Sequence, residues 1–149
     1  MDAPLRLGNY EPLFELAAGG MATVYVARQV GAGGFERIVV LKRVHRHLLG
    51  NREFTDMFRD EGRVASMIRH ANVVAVNDVV ESDSELFLVM DYVEGSALAT
   101  LRKTANELKR VLEPRVVVRI IVDALAGLHA AHEARDMVGR QLEVVHRDI

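Results

Sequence analysis

Cysteine is absent from the 149 residues, which excludes disulfides, zinc–thiolate centres and thiol catalysis and fits a reducing compartment, so the expected location is the cytoplasm. No run of about 18 apolar residues occurs, and the opening Met1-Asp2-Ala3-Pro4-Leu5-Arg6 lacks the basic and apolar regions of a signal peptide. A membrane-spanning segment is not expected. An excess of either charge is also missing, with 19 Lys and Arg against 21 Asp and Glu and a formal net charge of -2. That balance offers no global attraction to a phosphate backbone or an anionic bilayer. The richest basic stretch, Lys42-Arg43-Val44-His45-Arg46-His47, is interleaved with apolar residues and reads as a solvated strand end. Neither nucleic acid nor a membrane is therefore an expected partner. Internal repeats, heptads and low-complexity tracts are lacking too. What remains, 50% hydrophobic and 27% charged residues, is the composition of a globular fold, and the length suits one domain or a piece of a larger one.

Strand propensity dominates the first part of the chain. Residues 13–18, 23–29 and 37–44 read as strands rich in Val and Ile. Gly19-Gly20 fills the first turn and Gly31-Ala32-Gly33-Gly34 the second, where glycine best tolerates positive φ or close backbone approach. Residues 51–69 switch to a helical period, with Phe54, Phe58, Ala65 and Ile68 on one stripe. Residues 73–80 and 85–91 flank the polar turn Glu81-Ser82-Asp83-Ser84 as an antiparallel hairpin, which gives the order βββαββ. After Gly95 the text turns helical, with a short helix over 97–103 and a long one opened by Pro114 and running to about residue 134. Residues 142–145 are the next strand-like stretch. The expected organisation is an N-terminal extension (1–9), an α+β lobe (10–95) and a helical segment (96–149).

Glu61 breaks the helix pattern, because it falls within about 20° of the centre of the apolar stripe. A carboxylate on a packed face needs a cation, and Lys42, inside the apolar run Ile38-Val39-Val40-Leu41-Lys42, is the natural partner. A snorkelling lysine and a solvated glutamate are the competing reading. The loop Ala17-Ala18-Gly19-Gly20-Met21-Ala22-Thr23-Val24 joins two strands and can bring backbone N–H groups close to phosphates, although a plain hairpin turn has the same composition. His146-Arg147-Asp148, after the strand-like Leu142-Glu143-Val144-Val145, is weak when taken alone.

Order and spacing change the weight of these pieces. Leu16 to Val24, Val39-Val40-Leu41-Lys42, Phe58-Arg59-Asp60-Glu61, His70-Ala71-Asn72-Val73-Val74, Leu88-Val89-Met90-Asp91-Tyr92-Val93-Glu94-Gly95 and His146-Arg147-Asp148 follow one another collinearly. In this arrangement the chain resembles the eukaryotic-like serine/threonine protein kinases, particularly their bacterial members, from about Tyr10 to its last residue. The resemblance implies the N-terminal part of a kinase catalytic domain: a small lobe of five antiparallel strands and one helix, then the first helices of the large lobe.

It also implies roles. Lys42 would contact the α- and β-phosphates of ATP and pair with Glu61. Leu16, Ala17, Ala18, Gly19, Gly20, Met21 and Ala22 would form the loop over the phosphates. Val24 and Val40 would cap the adenine, Met90 would close the back of the site, and backbone groups of Asp91 and Val93 would bond the adenine edge. Asp148 would orient the substrate hydroxyl, with His146 and Arg147 holding its loop. ATP and a protein Ser/Thr substrate are the implied partners, and Mg2+ is the implied metal.

Departures from the family pattern accompany the match. Ala17 stands for the first loop glycine, Ala22 for the third and Ala71 for a proline, and each alanine at the loop is expected to penalise positive φ. The family's magnesium ligands would fall beyond Ile149, so no metal ligand is assigned and the 149-residue polypeptide alone is expected to have no appreciable activity. Val116, Val117, Ile120, Ile121, Ala124, Leu125 and Leu128 would leave an apolar helix face exposed and prone to self-association. Two other readings stand beside the enzyme: a kinase-derived nucleotide-binding or protein-interaction module without catalysis, and an unrelated α+β binding domain.

Overall fold

The computed structural model describes residues 7–82 and 84–144. They fall into two compact units, one built from the residues up to Arg69 with Val74–Tyr92, the other from His70–Val73 and the residues from Val93 onward. In the first unit, strands β1 (Tyr10–Ala18), β2 (Ala22–Val30), β3 (Glu36–Val44), β4 (Val76–Ser82) and β5 (Glu85–Asp91) form one antiparallel sheet in the order β1-β2-β3-β5-β4, with helix α1 (Arg52–Ser66) between β3 and β4. The α+β architecture expected from the sequence is the one observed.

Alternation along β3 and β5 creates two apolar faces. On one, Val39, Leu41, Phe87 and Val89 join Ala27, Leu7 and Tyr10, whose ring meets Phe87 edge-on at 5.7 Å. On the other, Val44, Leu86 and Leu88 pack with Phe58 of α1, flanked by Phe54, Val79 and Met90. Each such side chain contributes about 1.5–3 kcal/mol by leaving water, so α1 is held to the sheet chiefly by this second cluster.

Helix α1 starts where Asn51 accepts the Phe54 backbone N–H at 3.1 Å and Glu53 meets the positive end of the helix dipole. It stops at Ser66 rather than residue 69, because the Met67 N–H turns back to the Val64 carbonyl at 3.1 Å and tightens the last turn. β4 begins at Val76 and not at residue 73. The β-branched pair Val73-Val74 reads as strand, but the Val73 N–H bonds the His70 carbonyl in a turn.

The second unit holds α2 (Leu98–Glu107) and α3 (Pro114–His132). α2 runs four residues past the expected 103, while Pro114 opens α3 as its position predicts. The Asn72 amide donates to the Asp123 carbonyl of α3 at 2.8 Å, docking the 70–73 turn on that helix. Residues 142–144 do not form a strand. Leu142 is tied instead to the Ala134 carbonyl at 2.9 Å, beside an isolated bridge between Arg135 and Gln141, and Val145 lies outside the described residues.

Candidate nucleotide site

β3 sits between β2 and β5, and its register places Val24 and Leu88 opposite Lys42, and Val26 and Met90 opposite Val40. Directly opposed residues share a face, so Lys42 rises from an apolar surface of Val24, Val26, Val40, Leu88 and Met90. α1 packs on that same face, and Lys42 Nζ donates to Glu61 Oε1 at 2.8 Å while lying 5.6 Å from the centre of the Phe58 ring. The expected pair is present.

Its surroundings differ from those expected. Glu61 is not buried: its side chain is 53% exposed and that of Lys42 34%. The packed line of α1 is Thr55, Phe58 and Gly62, rotated away from Glu61, which leaves the carboxylate on the margin. A pair this exposed contributes no more than about 1 kcal/mol to folding. Its maintained geometry therefore has little to do with stability, and Phe58 supplies the rigid wall against which the lysine is aimed.

The β1–β2 turn carries Gly19, Gly20 and Met21, with Leu16, Ala17 and Ala18 on β1 and Ala22 on β2. The Gly19 N–H closes the turn on the Ala22 carbonyl at 2.9 Å. Contrary to expectation, positive φ is not what this turn needs: among the described glycines the positive angles belong elsewhere, including Gly33 (67°) and Gly34 (81°) in the β2–β3 connection. A Cβ at Gly20 would meet nothing within 4 Å and one at Gly19 only the Ala22 carbonyl at 3.6 Å, so the space against this backbone is open. Ala17 and Ala22 lie in extended strands, where a Cβ carries no penalty; the feared cost of those substitutions does not arise.

Met90 and Asp91 end β5, with the Asp91 N–H bonded to the Ala75 carbonyl at 3.0 Å. Asn77 donates to the Asp91 carboxylate at 2.8 Å, fixing that side chain from β4. Val93 begins the next unit. His146, Arg147 and Asp148 lie outside the described residues. Among the described residues no group of three or more His, Asp or Glu is arranged to hold a metal, and no helix is long and apolar enough to cross a membrane.

Sequence reasoning missed two features. The first is Gly62, which a linear pattern registers only as a weak helix former. The second lies in the basic stretch after Lys42: Arg46 and His47 are exposed as expected of a solvated strand end, but Arg43 and His45 are not. Arg43 donates twice to Glu85, at 2.6 Å each, Arg46 adds a third bond at 3.0 Å, and the Arg43 and Glu85 side chains are only 15% and 11% exposed. His45 bonds Thr23 at 3.1 Å. The signal was available, since Arg43 continues the Val39, Leu41 alternation on the packed face. An open groove lined by Thr23, Tyr25, Arg43, Val44, His45 and Arg46 thus has its polar groups turned to one another.

Residues 10–149 match the family model described as the protein kinase domain. The chain belongs to the protein kinase family. It is 40% identical over 95% of its length to the tyrosine-protein kinase MasK of Myxococcus xanthus, and 34% identical over 95% to the serine/threonine-protein kinase PrkC of Bacillus subtilis. It covers 22% and 20% of those proteins respectively. Among solved structures, the PknI kinase domain of Mycobacterium tuberculosis superposes with a TM-score of 0.67 at 26% identity, over 89% of this chain and 51% of that one. The sheet and α1 are accordingly a kinase small lobe of the bacterial type, and α2 and α3 are helices of the large lobe.

Proposed function

We propose that residues 10–95 form the ATP-binding lobe of a cytoplasmic serine/threonine protein kinase and residues 96–149 the start of its substrate-binding lobe, the whole transferring the γ-phosphate of ATP to protein hydroxyls. The observation that carries the reading is the Lys42–Glu61 pair at 2.8 Å beside an apolar face and an open glycine turn. Lys42 is then a fixed positive charge for the α- and β-phosphates. Glu61 holds the ammonium in place, since a flexible lysine left alone would spend its time in solvent. Val24 and Val40 supply flat apolar contact for adenine, Met90 limits the depth of the site, and the backbones of Asp91 and Val93 read the adenine edge. Leu16 to Ala22 lie over the phosphates, where the bare backbone at Gly19 and Gly20 admits close approach. By the family resemblance Asp148 orients the acceptor hydroxyl, and His146 and Arg147 belong to the same motif. Mg2+ bound with ATP would supply charge neutralisation during transfer.

Serine/threonine rather than tyrosine specificity rests on the similarity to PrkC and to the serine/threonine-protein kinase PknL of Mycobacterium tuberculosis, 33% identical over the whole chain. The similarity to a kinase named for tyrosine gives the other acceptor, so phosphoamino-acid analysis of a phosphorylated protein substrate decides between them. Placement of the site is tested by an acyl phosphate of ATP, which transfers its acyl group to an amine near the phosphates. The expected product carries the acyl group on Lys42, is suppressed by excess ATP, and leaves Lys103 and Lys109 unprotected. Equal, unsuppressed labelling of all three would refute the assignment.

A further inference from the structure

Gly62 is an unexpected residue for the interior of α1. In mid-helix, glycine is less favourable than alanine by about 1 kcal/mol, so its presence calls for a compensating reason. The reason is contact: a Cβ at Gly62 would stand 2.5 Å from Leu88 Cδ2 and 2.9 Å from Val79 Cγ2, against about 3.5–4.0 Å for carbon atoms at rest. Leu88 is 2% exposed and packed in the cluster with Val44, Phe58 and Leu86, so a retreat of its methyl group disturbs that cluster. The element free to give way is α1, whose outer side faces solvent at Glu61 and Arg63.

The geometry assigns Gly62 as a positioning residue for the Lys42–Glu61 pair: its missing side chain sets how closely α1 lies on β4 and β5, and thereby whether Glu61 reaches Lys42. Glu61 is its immediate neighbour, and Phe58, the ring beside the Lys42 ammonium, lies one turn before it on the packed line. A methyl group at position 62 lifts both. A displacement of about 1 Å is enough to carry a 2.8 Å hydrogen bond out of range unless Lys42 follows and leaves the sheet face of Val24 and Leu88. This rests on the proposed nucleotide site for its consequence in binding, but the effect on the pair is independent of any nucleotide.

The test uses the full chain with 13C-labelled lysine, in which the Lys42 side-chain signal is assigned by its loss in Lys42→Arg. In Gly62→Ala that signal moves toward its position in Glu61→Gln, and ATP binding weakens on the order of three- to tenfold. In a Glu61→Gln background the same glycine substitution changes ATP affinity less than about twofold. Leu88→Val and Val79→Ala added to Gly62→Ala remove the two overlapping atoms, Leu88 Cδ2 and Val79 Cγ2, so they return the Lys42 signal toward the wild-type position and relieve the overlap should the single variant not fold. A Lys42 signal unmoved in folded Gly62→Ala, one still displaced in the folded triple variant, or an equal affinity loss with and without Glu61, overturns the assignment. Absence of ATP binding by the wild-type chain refutes the nucleotide site instead, and the Lys42 signal then decides the role of Gly62.

Discussion

Glu85, at the start of β5, accepts two bonds from Arg43 and one from Arg46. Burial pushes its pKa up, but the guanidinium hydrogen bonds outweigh that and hold the carboxyl below its ordinary value of 4.5. A depressed carboxylate stabilises the fold fully above its unfolded value and loses that contribution as pH falls through the folded one. Glu85→Gln is accordingly expected to lower stability by about 2 kcal/mol at neutral pH, a difference that shrinks as the pH drops below 4.5. Urea denaturation of both chains across this range checks it; a gap that is constant or widens in acid would contradict the assignment. Lys42 stands on the opposite face of β3 from Arg43, so neighbouring basic residues on one strand do different work. One is committed to the fold, and the other is held by Glu61 where the proposed nucleotide site needs it.

At the scale of elements, α3 shows how tightly the helical unit is joined. A Cβ at Gly127 would lie 2.7 Å from the Asn72 carbonyl oxygen, a backbone atom that cannot rotate away. Gly127→Ala gains about 0.5–1 kcal/mol of helix propensity and incurs about 1–3 kcal/mol of overpacking, so a net loss of thermal stability is expected in a melting experiment. A higher melting temperature would mean that the 70–73 turn is not docked as described. The elements themselves were largely legible. β5 was readable to the residue, because Leu86 to Met90 is an uninterrupted apolar run between Glu85 and Asp91, and α3 because Pro114 marks its start. Where the reading slipped, contacts distant in sequence decided: Val73 is drawn into a turn that α3 anchors, and the packed line of α1 follows Gly62, whose value is the absence of a side chain. Lys42 and Glu61 could be paired from sequence because strand and helix periodicity place them on facing surfaces. That Glu61 remains half in solvent depends on the rotation of α1, which periodicity fixes only loosely.

For the whole molecule, the two units differ in how completely they are packed. The sheet and α1 enclose two apolar clusters, whereas on α3 Val118, Ile121, Val122 and Leu125, spaced as one helical stripe, are each more than half exposed. This stripe is rotated from the expected one, since Val117, Ile120 and Leu128 are half-buried. The 149-residue polypeptide is expected to self-associate through it, with sedimentation showing mass rising with concentration and Ile121→Glu with Leu125→Glu restoring a monomer. A concentration-independent monomer of the unsubstituted chain would contradict this. The chain spans about a fifth of the first curated relatives it matches and about half of a solved kinase domain, and ATP binding is the function proposed for its first lobe. Calorimetric titration of ATP into this chain, beside Lys42→Ala, tests that function most directly. The account predicts micromolar affinity that falls about tenfold or more in the variant; equal affinity in the two folded chains, or no binding by either, would contradict it.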